Sequence, residues 1–267
     1  MRPEFLFATD IHGSRYKMDA LVQKGISMGC PDIILGGDLL PMASFCTPRS
    51  QREVLLDLST VMGDYGGRFF TVFGNNDMKG AVEGIEELCS NLRKIEVGSA
   101  VLTSGRRIHG ISYVPVTPFR TKDWEARERE GALLRGAREK GICTSGGKMK
   151  DCTVPVEPTI MDMLEGLDVE RGGLLVSHGP PHGTNADIAH DGTNLGSRDL
   201  RIFMKRRGLK AVLCGHIHES PGRSGRVVDL IDGTLVANPG SRRGALDMVL
   251  GYDKGEDLEL DVITVTL

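Results

Sequence analysis

Side chains of the kinds that bind divalent metals recur along this chain at one sort of place, the polar end of a short apolar run. Asp10-Ile11-His12 sets a carboxylate and an imidazole two residues apart, on one side of the chain if it stays extended. Asp38 follows Gly36-Gly37, a pair that lets the backbone turn sharply so that a short side chain reaches inward. Asn75 follows Gly74, His178 follows Ser177, and His216 and His218 bracket Ile217. Ligands of an open α/β sheet gather outside the carboxyl ends of its strands, so all seven residues can converge. Carboxylates, imidazoles and one neutral amide together suit a pair of divalent transition ions. Taken singly the pieces are weak: a glycine-aspartate after a strand is commonly a turn or an N-cap, and only Gly215-His216-Ile217-His218 suggests metal by itself. Their order, and their use of four of the seven histidines, is hard to assign to packing.

Two such ions about 3.5–4 Å apart can hold a bridging water, lower its pKa and clamp phosphoryl oxygens during in-line attack. No protein nucleophile is then needed, and the chain shows neither a nucleophile elbow nor a phosphate-binding loop. Gly146-Gly147-Lys148 lacks the spacing and the following hydroxyl of such a loop.

The elements that must position these residues follow the rhythm of an α/β protein. Residues 4–8, 33–35 and 69–73 read as buried strands, each ending in a candidate ligand. Between them, 15–28 carries Met18, Leu21, Val22 and Ile26 at helical spacing, and 49–63 carries Val54, Leu55, Leu58, Val61 and Met62. Beyond residue 92 the pattern becomes short candidate strands at 94–97, 100–103 and 107–113, a meander. Residues 115–152 predict an inserted loop with a polar helix in their charged stretch, 124–140. That segment is too short and too polar to bury a core of its own, so 1–267 reads as one domain carrying an insert. Alternation resumes with strand 173–177, helix 196–207 and strand 211–214, and the end is strand-rich at 226–231, 234–237, 246–252 and 257–267.

Composition bounds the alternatives. The 267 residues are 40% hydrophobic and 26% charged, with 5% aromatics, so a core must rest on Val, Leu, Ile and Met. A net charge of −3 supplies no global field for nucleic acid or an anionic membrane, and the basic clusters at Arg106-Arg107, Lys205-Arg206-Arg207 with Lys210, and Arg242-Arg243 read as solvated faces. No stretch approaches the ~20 apolar residues that span a bilayer, and the first apolar run is too short for a signal sequence. Six scattered cysteines form no C-x-x-C pair; Cys30 and Cys214 read as core thiols, and Cys143 and Cys152 share a loop and could pair if oxidised. The expectation is a cytoplasmic protein with reduced cysteines.

The ordered set Asp10-x-His12, Gly37-Asp38, Gly74-Asn75-x-Asp77, Ser177-His178 and Gly215-His216-x-His218 closely resembles the calcineurin-like metallophosphoesterases, with Asn238-Pro239-Gly240-Ser241 similar to the family's closing turn. The run from His178-Gly179-Pro180-Pro181 through Gly196-Ser197 to His218-Glu219 also looks like its class III phosphodiesterase-type members. The resemblance implies a four-layer α-β-β-α sandwich of two mixed sheets flanked by helices. It implies that Asp10, His12 and His218 hold one metal, that Asn75, His178 and His216 hold the other, and that Asp38 bridges them. Mn²⁺ is the first expectation, with Fe and Zn²⁺ also compatible.

The sequence departs from the family at Asn76, where a histidine acting on the leaving oxygen is expected, oriented by the acid at Asp77. An amide can donate a hydrogen bond to a phosphoryl oxygen but delivers no proton at neutral pH. Losing general acid help costs roughly 10²–10⁴-fold, most for poor leaving groups. The reading is therefore a hydrolase of phosphodiesters or activated phosphate esters, with a small phosphate ester as substrate, rather than an efficient phosphomonoesterase. His182, after Pro180-Pro181, and His190 are the histidines that could replace the missing acid, though both also read as solvated loop residues; His109 reads as structural. Thr117-Pro118-Phe119 and Trp124 could close a pocket but more simply clamp the insert to the body. A nuclease would need a basic track and steeply salt-dependent binding, which the acidic balance counts against. A non-catalytic interaction scaffold would have no physical need for all seven ligands, and a protein phosphatase is disfavoured by Asn76 and the modest length.

Overall fold

The computed structural model describes residues 3–267 apart from 130, 132, 135 and 256. In chain order its strands are β1 (Pro3–Ala8), β2 (Asp32–Leu35), β3 (Arg68–Thr71), β4 (Leu92–Lys94), β5 (Val97–Val101), β6 (Arg107–Ile111), β7 (Val114–Pro115), β8 (Glu125–Ala126), β9 (Lys140–Ser145), β10 (Lys148–Thr153), β11 (Leu174–Ser177), β12 (Ala211–Leu213), β13 (Val228–Ile231), β14 (Thr234–Ala237), β15 (Ala245–Lys254) and β16 (Asp257–Thr266). The helices are α1 (Arg15–Met28), α2 (Pro48–Gly63), α3 (Lys79–Val82), α4 (Ile85–Leu88), α5 (Ile160–Gly166), α6 (Arg198–Arg207) and α7 (Ser220–Ser224).

Two six-stranded mixed sheets carry the molecule, ordered β16-β15-β1-β2-β3-β4 and β13-β14-β12-β11-β6-β5. In the first, β1 to β4 are parallel, with β15 antiparallel to β1 and β16 antiparallel to β15. In the second, β14, β12, β11 and β6 are parallel, with antiparallel strands at both edges.

Side chains alternate across each strand and so decide the layering. Phe5 and Phe7, with Ile34, Phe70 and Val249, meet Ile108, Leu174, Val176 and Leu213 of the other sheet in one buried cluster. Leu6, Ala8, Ile33 and Leu35 face the other way, onto Met18, Leu21 and Val22 of α1 and Leu55, Leu58 and Met62 of α2. On the far side, Leu175, Val212 and Val236 pack against Leu164 of α5 and Leu200, Phe203 and Met204 of α6. The result is helix, sheet, sheet, helix, the four-layer sandwich expected. Each central strand is buried on both faces, and the parallel ones therefore all deliver their carboxyl ends to one rim.

Two local expectations fail. The supposed meander is split between the sheets: β4 extends the first sheet beside β3, whereas β5 and β6 form an antiparallel edge of the second. Leu92 is buried opposite Phe69, and that contact claims the first segment. The described residues of 124–140 contain no helix. Gly131 and Gly136 adopt positive φ there, breaking any helical run, and the insert instead forms the β7–β8 pair and the β9–β10 hairpin.

Trp124 is buried and stacks on Phe73 at 5.1 Å, while Phe119 is half exposed, so the aromatics clamp the insert rather than cover the rim. A buried Lys122–Glu125 pair at 2.8 Å adds to the same clamp. Cys143 and Cys152 are joined in a disulfide across the hairpin, with Cα atoms 5.7 Å apart, which corrects the expectation of uniformly reduced cysteines. Cys30 and Cys214 are buried free thiols. No helix among the described residues is long and apolar enough to cross a membrane.

Candidate metal centre

The chain does not stay extended at the ligand positions. Asp10, His12, Asp38 and His216 have φ of 56°, 51°, 50° and 69°, the left-handed region that costs a non-glycine residue on the order of 1 kcal/mol or more. Asp10 and His12 thus come together through paired left-handed turns, not through the extended alternation read from the sequence.

The surrounding backbone holds this strain. Asp10 N–H donates to Gly37 O (3.0 Å), His12 N–H to Asp38 O (2.9 Å) and Gly13 N–H to Leu39 O (2.8 Å), lacing the loops after β1 and β2 together. Gly215 N–H donates to His178 O (2.9 Å) and does the same for β11 and β12. Gly37, at φ 96°, makes the turn that Asp38 needs. Gly74 is required for closeness, since a Cβ there would collide with Asp38 Oδ1 and His178 Nε2.

Ligand atoms of Asp10, His12, Asp38 and His218 all lie within 4.8 Å of one another. His218 Nε2 is 3.0 Å from Asp10 Oδ1 and 3.0 Å from His12 Nε2. His12 Nε2 is 3.8 Å from Asp38 Oδ2, and the other Asp38 oxygen, Oδ1, is 3.5 Å from His178 Nε2. His178 Nε2 is in turn 3.3 Å from Asn75 Oδ1, and the His178 and His216 rings lie 5.1 Å apart. The structure therefore brings all seven sequence-derived residues to one rim, with one carboxylate in the middle.

These donors fit cations. A carbonyl can only accept, so His178 Nδ1–H donates to Gly36 O (2.9 Å), which leaves Nε2 directed at Asp38 and Asn75. An imidazole nitrogen and an amide oxygen 3.3 Å apart, beside a carboxylate, are acceptors that a shared cation would reconcile.

Charge is strongly organised. Burial opposes ionisation of Asp10 and Asp38, but the surrounding histidines (His218 first for Asp10, His178 first for Asp38) hold both carboxyls below their usual range. Burial lowers His12, and lowers His216 to about 3. For His218 burial is outweighed by Asp10, which pushes it up to about 9.

The other sequence candidates have different surroundings. Asn76 donates from Nδ2 to Asp38 Oδ2 (2.7 Å) and from its backbone N–H to Asp38 Oδ1 (2.8 Å), while its Oδ1 accepts Ala43 N–H (3.2 Å). Asp77 is fully buried and accepts N–H groups of Gly74 (2.9 Å), Leu39 (3.2 Å) and Leu40 (2.7 Å), bracing one ligand loop against another. Burial, then the Asp38 charge, push its carboxyl up to about 7. His182 lies 3.6 Å from Asp187 and forms no hydrogen bond or ion pair with the seven among the described residues. His190 is solvated, and His109 is buried 3.0 Å from Glu170, a structural role as expected.

Two supporting residues, Lys17 and Gln51, escaped the sequence reading, which notes Ser241 only within the closing turn. Lys17 Nζ–H donates to Asp10 O (3.2 Å) and to Ser241 Oγ (2.6 Å), and Ser241 Oγ–H also reaches Asp10 O (3.1 Å). Gln51 is wholly buried on α2; its Nε2 donates to Pro41 O and Asn76 O (both 2.6 Å) and its Oε1 accepts Met78 N–H (2.9 Å). The signal for Gln51 was present, four residues before Leu55 on the buried stripe of α2.

The sequence profile described as calcineurin-like phosphoesterase matches residues 3–220. The chain belongs to this family, whose members act on phosphate esters. It is also 39% identical over 70 residues to the uncharacterized protein MJ1162 of Methanocaldococcus jannaschii, a match covering 25% of this chain and 30% of that one. Among solved structures it resembles TT1561 of Thermus thermophilus, with a TM-score of 0.59 at 15% identity over 98% of this chain and 99% of that one. A dimetal phosphatase from Danio rerio aligns over 99% of both chains at 9% identity with a TM-score of 0.54. At such identities these likenesses show the fold.

Proposed function

We propose that this phosphoesterase is a two-metal hydrolase of phosphodiesters or activated phosphate esters. The observation that supports it most is the setting of Asp38, whose two oxygens face different histidines, His12 on one side and His178 on the other. Asp10, His12 and His218 would hold one ion and Asn75, His178 and His216 the second, with Asp38 common to both. When bound, the pair supplies Lewis acidity toward the phosphoryl oxygens and a water nucleophile at neutral pH. Mn²⁺ suits this donor set, as do Fe and Zn²⁺.

The protein's own part is positioning. Asn76 ties both Asp38 oxygens, so the carboxylate keeps one orientation between the two histidine groups. Gly36 O fixes the His178 ring, and Thr9 Oγ1–H (2.9 Å) with His216 N–H (3.2 Å) fixes Asp10 Oδ2. With Asn76 spent on Asp38, position 76 gives no proton to a leaving oxygen, which favours esters whose leaving group departs without one. His182 is held against Asp187, and this reading gives it no proton-transfer role.

The test is metal-stripped protein reconstituted with Mn²⁺ and assayed on bis-p-nitrophenyl phosphate and p-nitrophenyl phosphate, with Asp38→Ala alongside. Metal-dependent cleavage that favours the diester and vanishes in the variant is expected. Preferential monoester cleavage would overturn the leaving-group part of the proposal.

A further inference from the structure

We propose that the groove beside His218 receives a second anionic group of the substrate and that Arg223 reads it; this rests on the phosphoesterase reading above and names its substrate class. The groove encloses about 480 Å³ between His190, His218, Glu219, Arg223, Ser241 and Arg242. Such a volume suits a nucleoside-sized substituent. His218 forms part of its wall, and on this proposal one substituent of an ester centred on the candidate ligands lies in this groove.

The charges of the groove single out Arg223. Arg242 is spent on Asp247, Nε to Oδ2 at 2.6 Å and Nη2 to Oδ1 at 2.7 Å. Glu219 accepts the His190 backbone N–H at 3.0 Å, with the His190 ring 4.0 Å away. Neighbouring arginines are likewise paired, Arg226 with Asp229 at 2.7 Å and Arg201 with Asp232 at 3.0 Å. Arg223 has no acidic partner among the described residues, and its cation is left to the groove.

Its support is firm. The turn α7 leaves directly from His218-Glu219, with Arg223 N–H donating to Glu219 O at 3.0 Å. Ser220 is fully buried, its hydroxyl donating to Asn185 O (2.8 Å) and accepting Ile188 N–H (3.0 Å). A guanidinium on an anchored turn, five residues beyond a candidate metal ligand, matches the planar acceptors of a phosphate or carboxylate. The preferred substrate is accordingly an ester carrying a second phosphate or carboxylate, not one with two neutral substituents.

The test compares thymidine 5′-(p-nitrophenyl phosphate) with its 3′-phosphorylated counterpart on the Mn²⁺-loaded full chain. The added phosphate should lower KM about tenfold, the order of one charge-assisted hydrogen bond, with little change in kcat. Arg223→Gln should bring the KM ratio of the two esters to about one, Arg223→Lys should recover part of it, and Arg226→Gln should keep it. A ratio near one in the wild type, or one that survives Arg223→Gln, overturns the proposal. If neither ester is cleaved, the phosphodiesterase reading falls, and calorimetric binding of thymidine 3′,5′-bisphosphate against thymidine 5′-monophosphate still decides the groove. A tenfold preference lost in Arg223→Gln upholds it, and equal affinity sinks it.

Discussion

The two sheets contribute unlike halves to the site. Loops of the first supply Asp10, His12, Asp38 and Asn75, including both carboxylates, whereas loops of the second supply the imidazoles of His178, His216 and His218. The halves are joined across the seam by His218 to Asp10 at 3.0 Å, His216 N–H to Asp10 Oδ2 at 3.2 Å and His178 Nδ1–H to Gly36 O at 2.9 Å. The anionic half is braced mainly from within its own sheet, by Asn76 and Asp77, while the second half leans on the first through the His178 and His218 rings and the His216 backbone N–H. The lesson is that the candidate ligands come together only when the apolar faces led by Phe5, Phe7, Val176 and Leu213 have docked, so metal affinity at this site would be linked to sheet packing.

This contrast is broken most severely at Asp38, whose two oxygens face His12 of the first half and His178 of the second. Asp38→Ala should lower Mn²⁺-dependent diester hydrolysis by roughly 10²–10³-fold or more, the loss that follows removal of a preorganised electrostatic group. Retention of near-normal turnover would mean that the two histidine groups act independently.

Asn76→His comes next. It offers an imidazole at the leaving-group position and gives up the amide bond to Asp38, so monoester cleavage should gain on diester cleavage by up to roughly 10²-fold, the low end of general acid help. The measurement is the ratio of the two rates, and an unchanged ratio would remove Asn76 from the account of substrate preference.

The imidazole half also makes metal uptake depend on pH. In metal-free protein His218 is raised to about 9 and is protonated at pH 7, whereas His12 and His216 are lowered and already neutral. A metal must therefore displace about one proton, and affinity should rise by up to tenfold per pH unit until about pH 9. Calorimetry in buffers of different ionisation heat counts that proton; zero or two released would contradict the assignment.

The smallest effect is expected at Gln51, which braces the anionic half from α2. Gln51→Leu strands Pro41 O, Asn76 O and Met78 N–H, at a cost of about 1–3 kcal/mol for a buried group so exposed. Urea denaturation should show the loss, and an unaltered midpoint would mean that water replaces the amide.

The convergence of the seven candidate ligands was legible because each follows an apolar run that reads as a buried strand, and strand ends share a rim. The helices of the first layer were legible for a similar reason; the spacing of Met18, Leu21 and Val22 gave α1 the limits it has in the structure. What escaped depends on contacts distant in sequence. Lys17 meets Ser241 across 224 residues, and Gln51 meets Asn76 across 25, and neither pairing leaves a local pattern. The left-handed turns at Asp10 and His12 were also hidden, because non-glycine residues adopt them only under the surrounding backbone bonds. In the insert, charge suggested a helix, but Gly131 and Gly136 and the anchoring of Trp124 on Phe73 decided against it.

The central claim is that Asp38 joins two metal sites, and the count of bound metal tests it most directly. Metal-free protein dialysed to equilibrium against Mn²⁺ and analysed by elemental emission should hold two ions per chain, and Asp38→Ala, folded by circular dichroism, should hold one or fewer. A wild type that saturates at a single ion, or a variant that still binds two with unchanged affinity, would contradict the account.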